Sequence, residues 1–150
     1  MSETSLRRAT VDDVPAIVAL LADDETGAAR EVPDDLGAYR RAFAAVDADA
    51  SELLAVAERG GQVVGTLQVS FLPGLSRHGA LRAQVEGVRV AAAARGSGVG
   101  GVMVRWAVDQ ARARGCVLVQ LTTDKARTDA HRFYDRLGFV ATHQGYKLPL

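Results

Sequence analysis

Residues 88–101 contain the pattern that most limits how this 150-residue chain can fold. They read VRVAAAARGSGVGG: an apolar strand end, an alanine-rich link, an arginine, and closely spaced glycines that open a helix. Because glycine lacks a Cβ, backbone N–H groups can approach a ligand closely, and a helix start adds unpaired N–H donors with partial positive charge. The pattern therefore predicts an anion-binding loop between a strand and a helix, with phosphate as its natural ligand.

Two other phosphate-binding motifs fit this run poorly. Gly96–Gly101 satisfies G-x-G-x-x-G, and Asp124 lies where a ribose-binding acid would be sought, but five residues separate the glycines from the strand. About 50 residues remain beyond the run, too few for paired dinucleotide-binding halves. A Walker loop ends in Gly-Lys-Ser/Thr, whereas this chain continues Gly101-Val102-Met103. Glycines that merely shape a turn would explain one such position, but not four within six residues beside an arginine.

Hydrophobic periodicity and turn signals predict a single domain over residues 1–150 with the order β-α-α-β-β-β-α-β-α-β. Helices are predicted at residues 11–22, from Pro33 to before Asp49, at 99–114 and at 126–137. Strands are predicted near Leu6, at 53–57, 63–71, 81–90 and 117–121, and from Phe139 towards Leu148. Residues 23–32 lack periodicity and are predicted to be a loop, Thr10 and Asp13 a helix-capping pair, and Gly60-Gly61 a tight hairpin turn.

Composition argues against several classes of protein. Lys plus Arg and Asp plus Glu both number 18, so no net positive charge exists to hold nucleic acid or an anionic membrane. No apolar run approaches the ~20 residues that span a bilayer. The single cysteine, Cys116, cannot form an internal disulfide and is expected in the core. The first residues are polar and acidic and lack the features of a signal peptide. We therefore expect a cytoplasmic protein. The three histidines have no metal-ligand spacing, so we expect no metal site.

Two motifs resemble those of one family, the GNAT superfamily of N-acetyltransferases. Arg95-Gly96-Ser97-Gly98-Val99-Gly100 fits its acyl-CoA signature, Arg/Gln-x-x-Gly-x-Gly/Ala. Residues 130–139, AHRFYDRLGF, are similar to its late helix and turn, Ala-x-x-Phe-Tyr-x-x-x-Gly-Phe. The resemblance covers essentially the whole chain and implies an α/β fold, with a mixed, largely antiparallel sheet of six or seven strands flanked by about four helices.

The resemblance also implies a function. It implies direct transfer of an acetyl group from acetyl-CoA to a primary amine of a small molecule or peptide in a ternary complex, and it is compatible with a homodimer. The alternative is a non-catalytic acyl-CoA-binding sensor or regulatory module. The residues implied to bind the cofactor are, in the loop, Arg95, Gly96, Ser97, Gly98, Val99 and Gly100, and in the preceding strand Val88 and Val90, whose backbone would pair with the pantetheine arm. Arg127 stands where the family often has a cofactor-contacting asparagine, and its permanent charge would let it donate to the same cofactor.

The same resemblance implies two catalytic side chains. Glu86 is expected to act as the base, directly or through water, although a solvated or salt-bridged strand carboxylate is an equal alternative. Simple alternation places Glu86 on the same sheet face as Val88 and Val90, unless Gly87 forms a β-bulge that redirects it. Tyr134 is expected to return a proton to the departing thiolate, the alternative being core packing.

Acidic residues are concentrated in one stretch of the chain. Residues 23–52 contain nine acids and three bases. The acids are Asp23, Asp24, Glu25, Glu31, Asp34, Asp35, Asp47, Asp49 and Glu52. Such a stretch would favour a cationic amine if it bordered the acceptor pocket, and an ordinary solvated surface is the alternative.

Overall fold

The computed structural model describes residues 3–150. The chain divides into two compact units, one ending at Gln120 and the other running from Leu121 to Leu150. Within residues 3–150, no helix is both long enough and apolar enough to cross a membrane.

The first unit is a five-stranded sheet with helices. Its strands are β1 (Thr4–Arg8), β2 (Glu52–Arg59), β3 (Gln62–Leu72), β4 (Arg82–Val90) and β5 (Val119–Gln120). Its helices are α1 (Val14–Ala22), α2 (Glu25–Arg30), α3 (Leu36–Ala48), the single turn α4 (Ser76–Gly79) and α5 (Val99–Ala113). A turn of 3-10 helix at Val11–Asp13 leads into α1.

The strands lie in the order β1-β2-β3-β4-β5. Each of the first four pairs antiparallel with its neighbour, and β5 pairs parallel with β4. The predicted hairpin turn is confirmed, because Gly60 and Gly61 have φ of 58° and 77° between β2 and β3. The predicted α/β class and largely antiparallel sheet are confirmed, but six or seven strands was wrong, since the described residues form five.

Helix α5 packs closely against the central strands. Met103 and Val104 on α5 are buried together with Leu67 on β3 and Val85 on β4. A Cβ on Gly65 of β3 would lie 2.5 Å from Met103 Sδ, so any larger residue there would force the Met103 side chain to move. Each large apolar side chain buried here stabilises the fold by roughly 1.5–3 kcal/mol, so this contact fixes α5, and with it the loop that precedes α5.

An ion-pair network joins the start of α1 to the sheet. Arg7 on β1 donates to both Asp13 carboxylate oxygens, at 2.7 and 2.9 Å, and to Glu58 on β2 at 2.7 Å. The Thr10 N–H also donates to Asp13, at 2.7 Å, which confirms the predicted capping pair. The hydrogen bond from Arg7 holds the pKa of buried Asp13 below its usual range, and the two carboxylates raise the pKa of Arg7.

One segment predicted to be a loop contains a helix. Within residues 23–32 the structure has α2, whose N-cap Asp24 accepts a hydrogen bond from the Gly27 N–H. A Cβ on Gly27 would lie 1.8 Å from the Leu21 carbonyl oxygen, so α2 packs directly on the end of α1. The sequence prediction was wrong because a six-residue helix shows too little periodicity, and tertiary contact supplies its stability. With α4 and a last helix at Thr128–Arg136, the described chain has six helices, not about four.

The second unit contains α6 (Thr128–Arg136), which ends before Gly138 at φ 92°. None of the side chains from Leu121 to Leu150 is buried. The prediction of a strand from Phe139 to Leu148 was wrong, because residues 139–150 form no strand. A strand needs a partner for its N–H and C=O groups, and the described chain offers none to this segment.

Candidate functional site

The backbone between β4 and α5 has the conformation of an anion-binding loop. After Val90 a 3-10 turn leads into Arg95–Gly98, and α5 begins at Val99. Gly96 and Gly98 have φ of 76° and 88°, and no atom lies within 4 Å of where a Cβ would stand on either residue. Glycine is therefore required by the backbone conformation, and the space beside both residues is open.

The backbone N–H groups from Gly96 to Gly101 have no acceptors among the described residues. The Arg95 N–H donates to Ala92 O at 3.3 Å and the Val102 N–H to Gly98 O at 3.2 Å. The N–H groups between them donate to no acceptor in the part of the chain that the structure describes. Unpaired donors at the start of a 15-residue helix fit a diphosphate such as that of coenzyme A.

Three side chains border this loop. Ser97 Oγ donates to the Ala94 carbonyl oxygen and accepts from Arg59 Nη1 at 3.1 Å. Arg95 Nε donates to Val90 O at 3.2 Å, and Arg95 forms an ion pair with Asp23 at 3.6 Å. The predicted ligand Arg95 therefore already has partners within the chain, whereas Arg59 was missed because it lies 38 residues from Ser97 in the sequence.

Strand β4 carries a β-bulge at Gly87. Gln68 on β3 lies opposite Glu86, whereas Thr66, two residues earlier on β3, lies opposite Arg89, so β4 has one extra residue between these pairs. Gly87 has φ of 64°, the left-handed conformation of such a bulge. The bulge that the sequence permits is therefore present.

The bulge separates Glu86 from the two valines that follow it. Because one residue is inserted, Glu86 and Arg89 share one face of the sheet, and Val88 and Val90 share the other. Glu86 is exposed, and its side chain forms no hydrogen bond or ion pair with any described residue. A carboxylate so placed is free to contact a ligand, whereas simple alternation would have placed it beside the valines.

The face that carries Glu86 is lined by polar side chains from four strands. We call these residues the polar face: Glu52, Gln68, Ser70, Gln84, Glu86 and Gln120. Glu52 Oε2 accepts from Gln68 Nε2 at 3.0 Å and from Ser70 Oγ at 2.8 Å, while its Oε1 has no partner among the described residues. Gln120 Nε2 donates to Gln84 Oε1 at 3.0 Å. A row of polar groups across the central strands is unusual for a core and suits a polar ligand.

Sequence reasoning missed most of the polar face. It counted Glu52 among the nine acids and proposed Glu86, but not the glutamines or Ser70. The available signal was polar alternation at residues 66, 68 and 70 of β3 and at 84 and 86 of β4. Only the strand register shows that these two alternating rows share one face.

In the second unit, Tyr134 lies on α6, and Arg127 occupies the N-cap position of this helix without a side-chain capping hydrogen bond. The half-buried Tyr134 ring meets Phe133 and Phe139 edge to face, with centroids 5.0 and 5.7 Å away. Arg127 is exposed, and its carbonyl oxygen accepts from the His131 N–H at 3.2 Å. The aromatic contacts fix the orientation of the Tyr134 ring, while the roles of both residues stay predictions.

Neither a reactive thiol nor a metal site is found among residues 3–150. Partial burial raises the pKa of the Cys116 thiol, which keeps it protonated and poorly nucleophilic at neutral pH. Cys116 is half-buried, so the expectation of a core residue is met only in part. No group of three or more His, Cys, Asp or Glu side chains could hold a metal ion in this part of the chain.

Comparison with known proteins identifies the family. The sequence model of the Acetyltransferase (GNAT) family matches residues 14–139. An aminoalkylphosphonate N-acetyltransferase from Salmonella typhimurium is 32% identical over 143 residues, which cover 95% of this chain and 89% of that protein.

Solved structures agree with this match. A transcriptional regulator from Bacillus halodurans C-125 has a TM-score of 0.95 and 46% identity, with 99% of this chain and 100% of that chain covered. A predicted acetyltransferase from Clostridium acetobutylicum, solved with acetyl-CoA, has the same fold, with a TM-score of 0.76, 19% identity, and 98% and 96% coverage. The motifs, the fold and the match over residues 14–139 lead to one conclusion: the chain belongs to the GNAT family and is an N-acetyltransferase.

Proposed function

We propose that this N-acetyltransferase moves an acetyl group from acetyl-CoA to the primary amine of a small molecule, directly and in a ternary complex. The observation that carries the proposal is the run of unpaired backbone N–H groups from Gly96 to Gly101 beside open space. These groups would bind the diphosphate of acetyl-CoA. The backbone of Val88 and Val90 would bind the pantetheine arm, and Arg127 would supply a further donor to the cofactor.

Glu86 is the proposed base. A primary ammonium with a pKa near ~10.4 loses a proton at neutral pH at a cost of roughly 4.6 kcal/mol, so transfer benefits from an acceptor close to the nitrogen. Glu86 would take that proton, directly or through water, as the nitrogen attacks the thioester carbonyl carbon. A backbone N–H near Val88 would stabilise the developing oxyanion.

Tyr134 is the proposed acid. When the C–S bond breaks, the thiolate needs a proton, and the phenol of Tyr134 would donate it. A phenol pKa near ~10 against a thiol pKa near ~8.5 makes this step uphill by about 2 kcal/mol, which is compatible with turnover. Tyrosinate would then recover its proton from solvent, and no covalent enzyme intermediate forms.

The polar face is the proposed binding surface for the acceptor. Its two carboxylates, Glu52 and Glu86, favour a protonated amine before the reaction, and Glu52 Oε1 is free to accept from it. The Salmonella relative acts on aminoalkylphosphonates, so 2-aminoethylphosphonate is the first acceptor to assay, followed by polyamines and amino acids.

The test measures free thiol release from acetyl-CoA with this panel. Turnover with at least one small primary amine is expected. Glu52→Gln is expected to raise the KM for that amine about tenfold, because it removes a charged hydrogen-bond partner, and to leave the KM for acetyl-CoA unchanged. Asp47→Asn, at an exposed acid on α3, is the matched control. Acetyl-CoA binding without turnover of any amine would contradict the proposal and favour an acyl-CoA sensor. A regulatory role is worth testing because the Bacillus relative is named a transcriptional regulator.

The assembly and location are also proposals. We propose one functional domain, which the family match across residues 14–139 supports, located in the cytoplasm. We propose a homodimer in which residues 139–150 pair with a second copy. Residues 140–150 are exposed throughout, and Tyr146, Leu148 and Leu150 recur at the alternate spacing of a strand. The neutral net charge of the chain does not oppose self-association.

A further inference from the structure

Arg59 lies beside the glycine-rich loop, although it belongs to the far end of β2. Its Nη1 donates to Ser97 Oγ at 3.1 Å. Its Nε and Nη2 donate to Thr4 Oγ1 at 3.3 and 3.1 Å. Two hydroxyl groups thus hold the half-buried arginine against the loop.

The charge of Arg59 is not neutralised by a carboxylate of residues 3–150. No carboxylate of the described residues forms an ion pair with it, whereas Arg95 is paired with Asp23 and Arg7 with Asp13. A guanidinium has five N–H donors, and three of those on Arg59 are used by Thr4 and Ser97. Two donors and a full positive charge are therefore left at the edge of a loop whose backbone N–H groups also lack acceptors.

We infer that Arg59 is a phosphate ligand of the acyl-CoA site, donating to an oxygen of the diphosphate that the loop binds. The inference rests on the proposed function, since it assigns a residue to the same cofactor site. Arginine suits this task because its planar, permanently charged group can donate two hydrogen bonds to one phosphate. Ser97, which Arg59 already contacts, lies within the loop itself.

The test compares Arg59→Gln with Arg8→Gln by calorimetric titration with CoA and with dephospho-CoA. Arg8 is an exposed arginine on β1 without an ion pair among residues 3–150, so its variant loses the same charge away from the loop. We expect Arg59→Gln to weaken both ligands by about tenfold or more, because a charge-assisted hydrogen bond is lost. Arg59→Lys should recover part of that loss, and Arg8→Gln should change neither affinity by more than about twofold.

Three outcomes would overturn the assignment. Unchanged CoA affinity in Arg59→Gln would show that Arg59 makes no contact with phosphate. A loss confined to CoA, with dephospho-CoA unaffected, would assign Arg59 to the 3′-phosphate instead of the diphosphate. A lowered unfolding midpoint of the ligand-free variant together with weakened binding that lysine does not recover would show a purely structural role. Failure of the wild type to bind CoA at all would instead refute the proposed function, so the two failures are distinguishable.

Discussion

The β-bulge on β4 provides the sharpest test of how this fold positions its proposed base. Gly87 has φ of 64°, and the nearest atom to a Cβ on it would be Leu21 Cδ2, at 4.0 Å. Alanine therefore fits the available space, and the penalty of Gly87→Ala is one of backbone conformation alone. A non-glycine residue in the left-handed region costs about 1–2 kcal/mol, and the smaller unfolded-state entropy of alanine returns about 0.4–1 kcal/mol. The net loss of stability should be about 1 kcal/mol, or roughly 3 °C in Tm for a chain of this size.

Gly61→Ala is the matched control for this experiment. Gly61 has φ of 77° in the hairpin turn, and no atom lies within 4 Å of where its Cβ would stand, so it should lose a similar amount of stability. Only Gly87→Ala should reduce kcat, by about tenfold or more, because a shift of the bulge moves Glu86 away from the reacting amine. Both variants are measured by urea denaturation and by thiol-release kinetics at saturating acetyl-CoA.

The reasoning would be refuted by either of two results. Equal kcat values for the two variants and the wild type would show that the position of the Glu86 carboxylate does not depend on the bulge. A loss of stability well above 3 kcal/mol in Gly87→Ala would show that steric overlap, which the open space beside Gly87 argues against, determines the outcome.

Three further predictions concern other parts of the molecule. Asp13→Asn should lower the free energy of unfolding by about 1–2 kcal/mol at neutral pH, because Arg7, which keeps Glu58, loses the one of its two carboxylate partners that is buried. The folded-state pKa of Asp13 is lowered, so the difference in unfolding free energy between wild type and variant should be full above the usual aspartate pKa. It should shrink as the pH falls through the folded-state pKa. Urea denaturation at several pH values measures this difference, and a difference that does not change with pH would be contrary evidence. Tyr134→Phe should lower kcat by about 100-fold with acetyl-CoA affinity within about twofold of wild type, and an unchanged kcat in stopped-flow or steady-state assays would remove its role as acid. Replacing Leu148 and Leu150 together by Asp should convert a dimer to a monomer in light scattering, whereas Gln62→Asp, at an exposed residue outside this segment, should not; a wild type that is monomeric at all concentrations would refute the proposed strand pairing.

Local patterns in the sequence predicted most of the secondary structure. The apolar spacing of α1 and α5, the proline before α3 and the paired glycines of the β2–β3 hairpin act within a few residues, so they can be recognised without knowing the fold. The same is true of the glycine-rich loop, because glycine permits the positive φ angles found at Gly96 and Gly98. Helix α2 was missed because its stability comes from packing on the end of α1.

The C-terminal segment shows the limit of such patterns. Alternating apolar residues near Tyr146 and Leu148 favour a strand, but a strand is stable only when a neighbouring strand satisfies its backbone groups. Within the described chain no such neighbour is available to residues 139–150, and the apolar side chains are exposed. A pattern of side chains therefore predicts that a segment can form a strand, but the strand forms only where a neighbouring strand is available to pair with it.

The sequence by itself determined the family and the place of the glycine-rich loop, and it supplied the hypothesis that Glu86 and Tyr134 transfer protons. The tertiary structure decided which face of the sheet Glu86 occupies, which polar groups accompany it, and which arginine borders the loop. These features depend on contacts between residues far apart in the chain, such as Arg59 with Ser97 and Glu52 with Ser70. The placement of Glu86 follows from strand register. One extra residue in β4 reverses the alternation of every side chain after it, and only pairing with β3 shows where that residue lies.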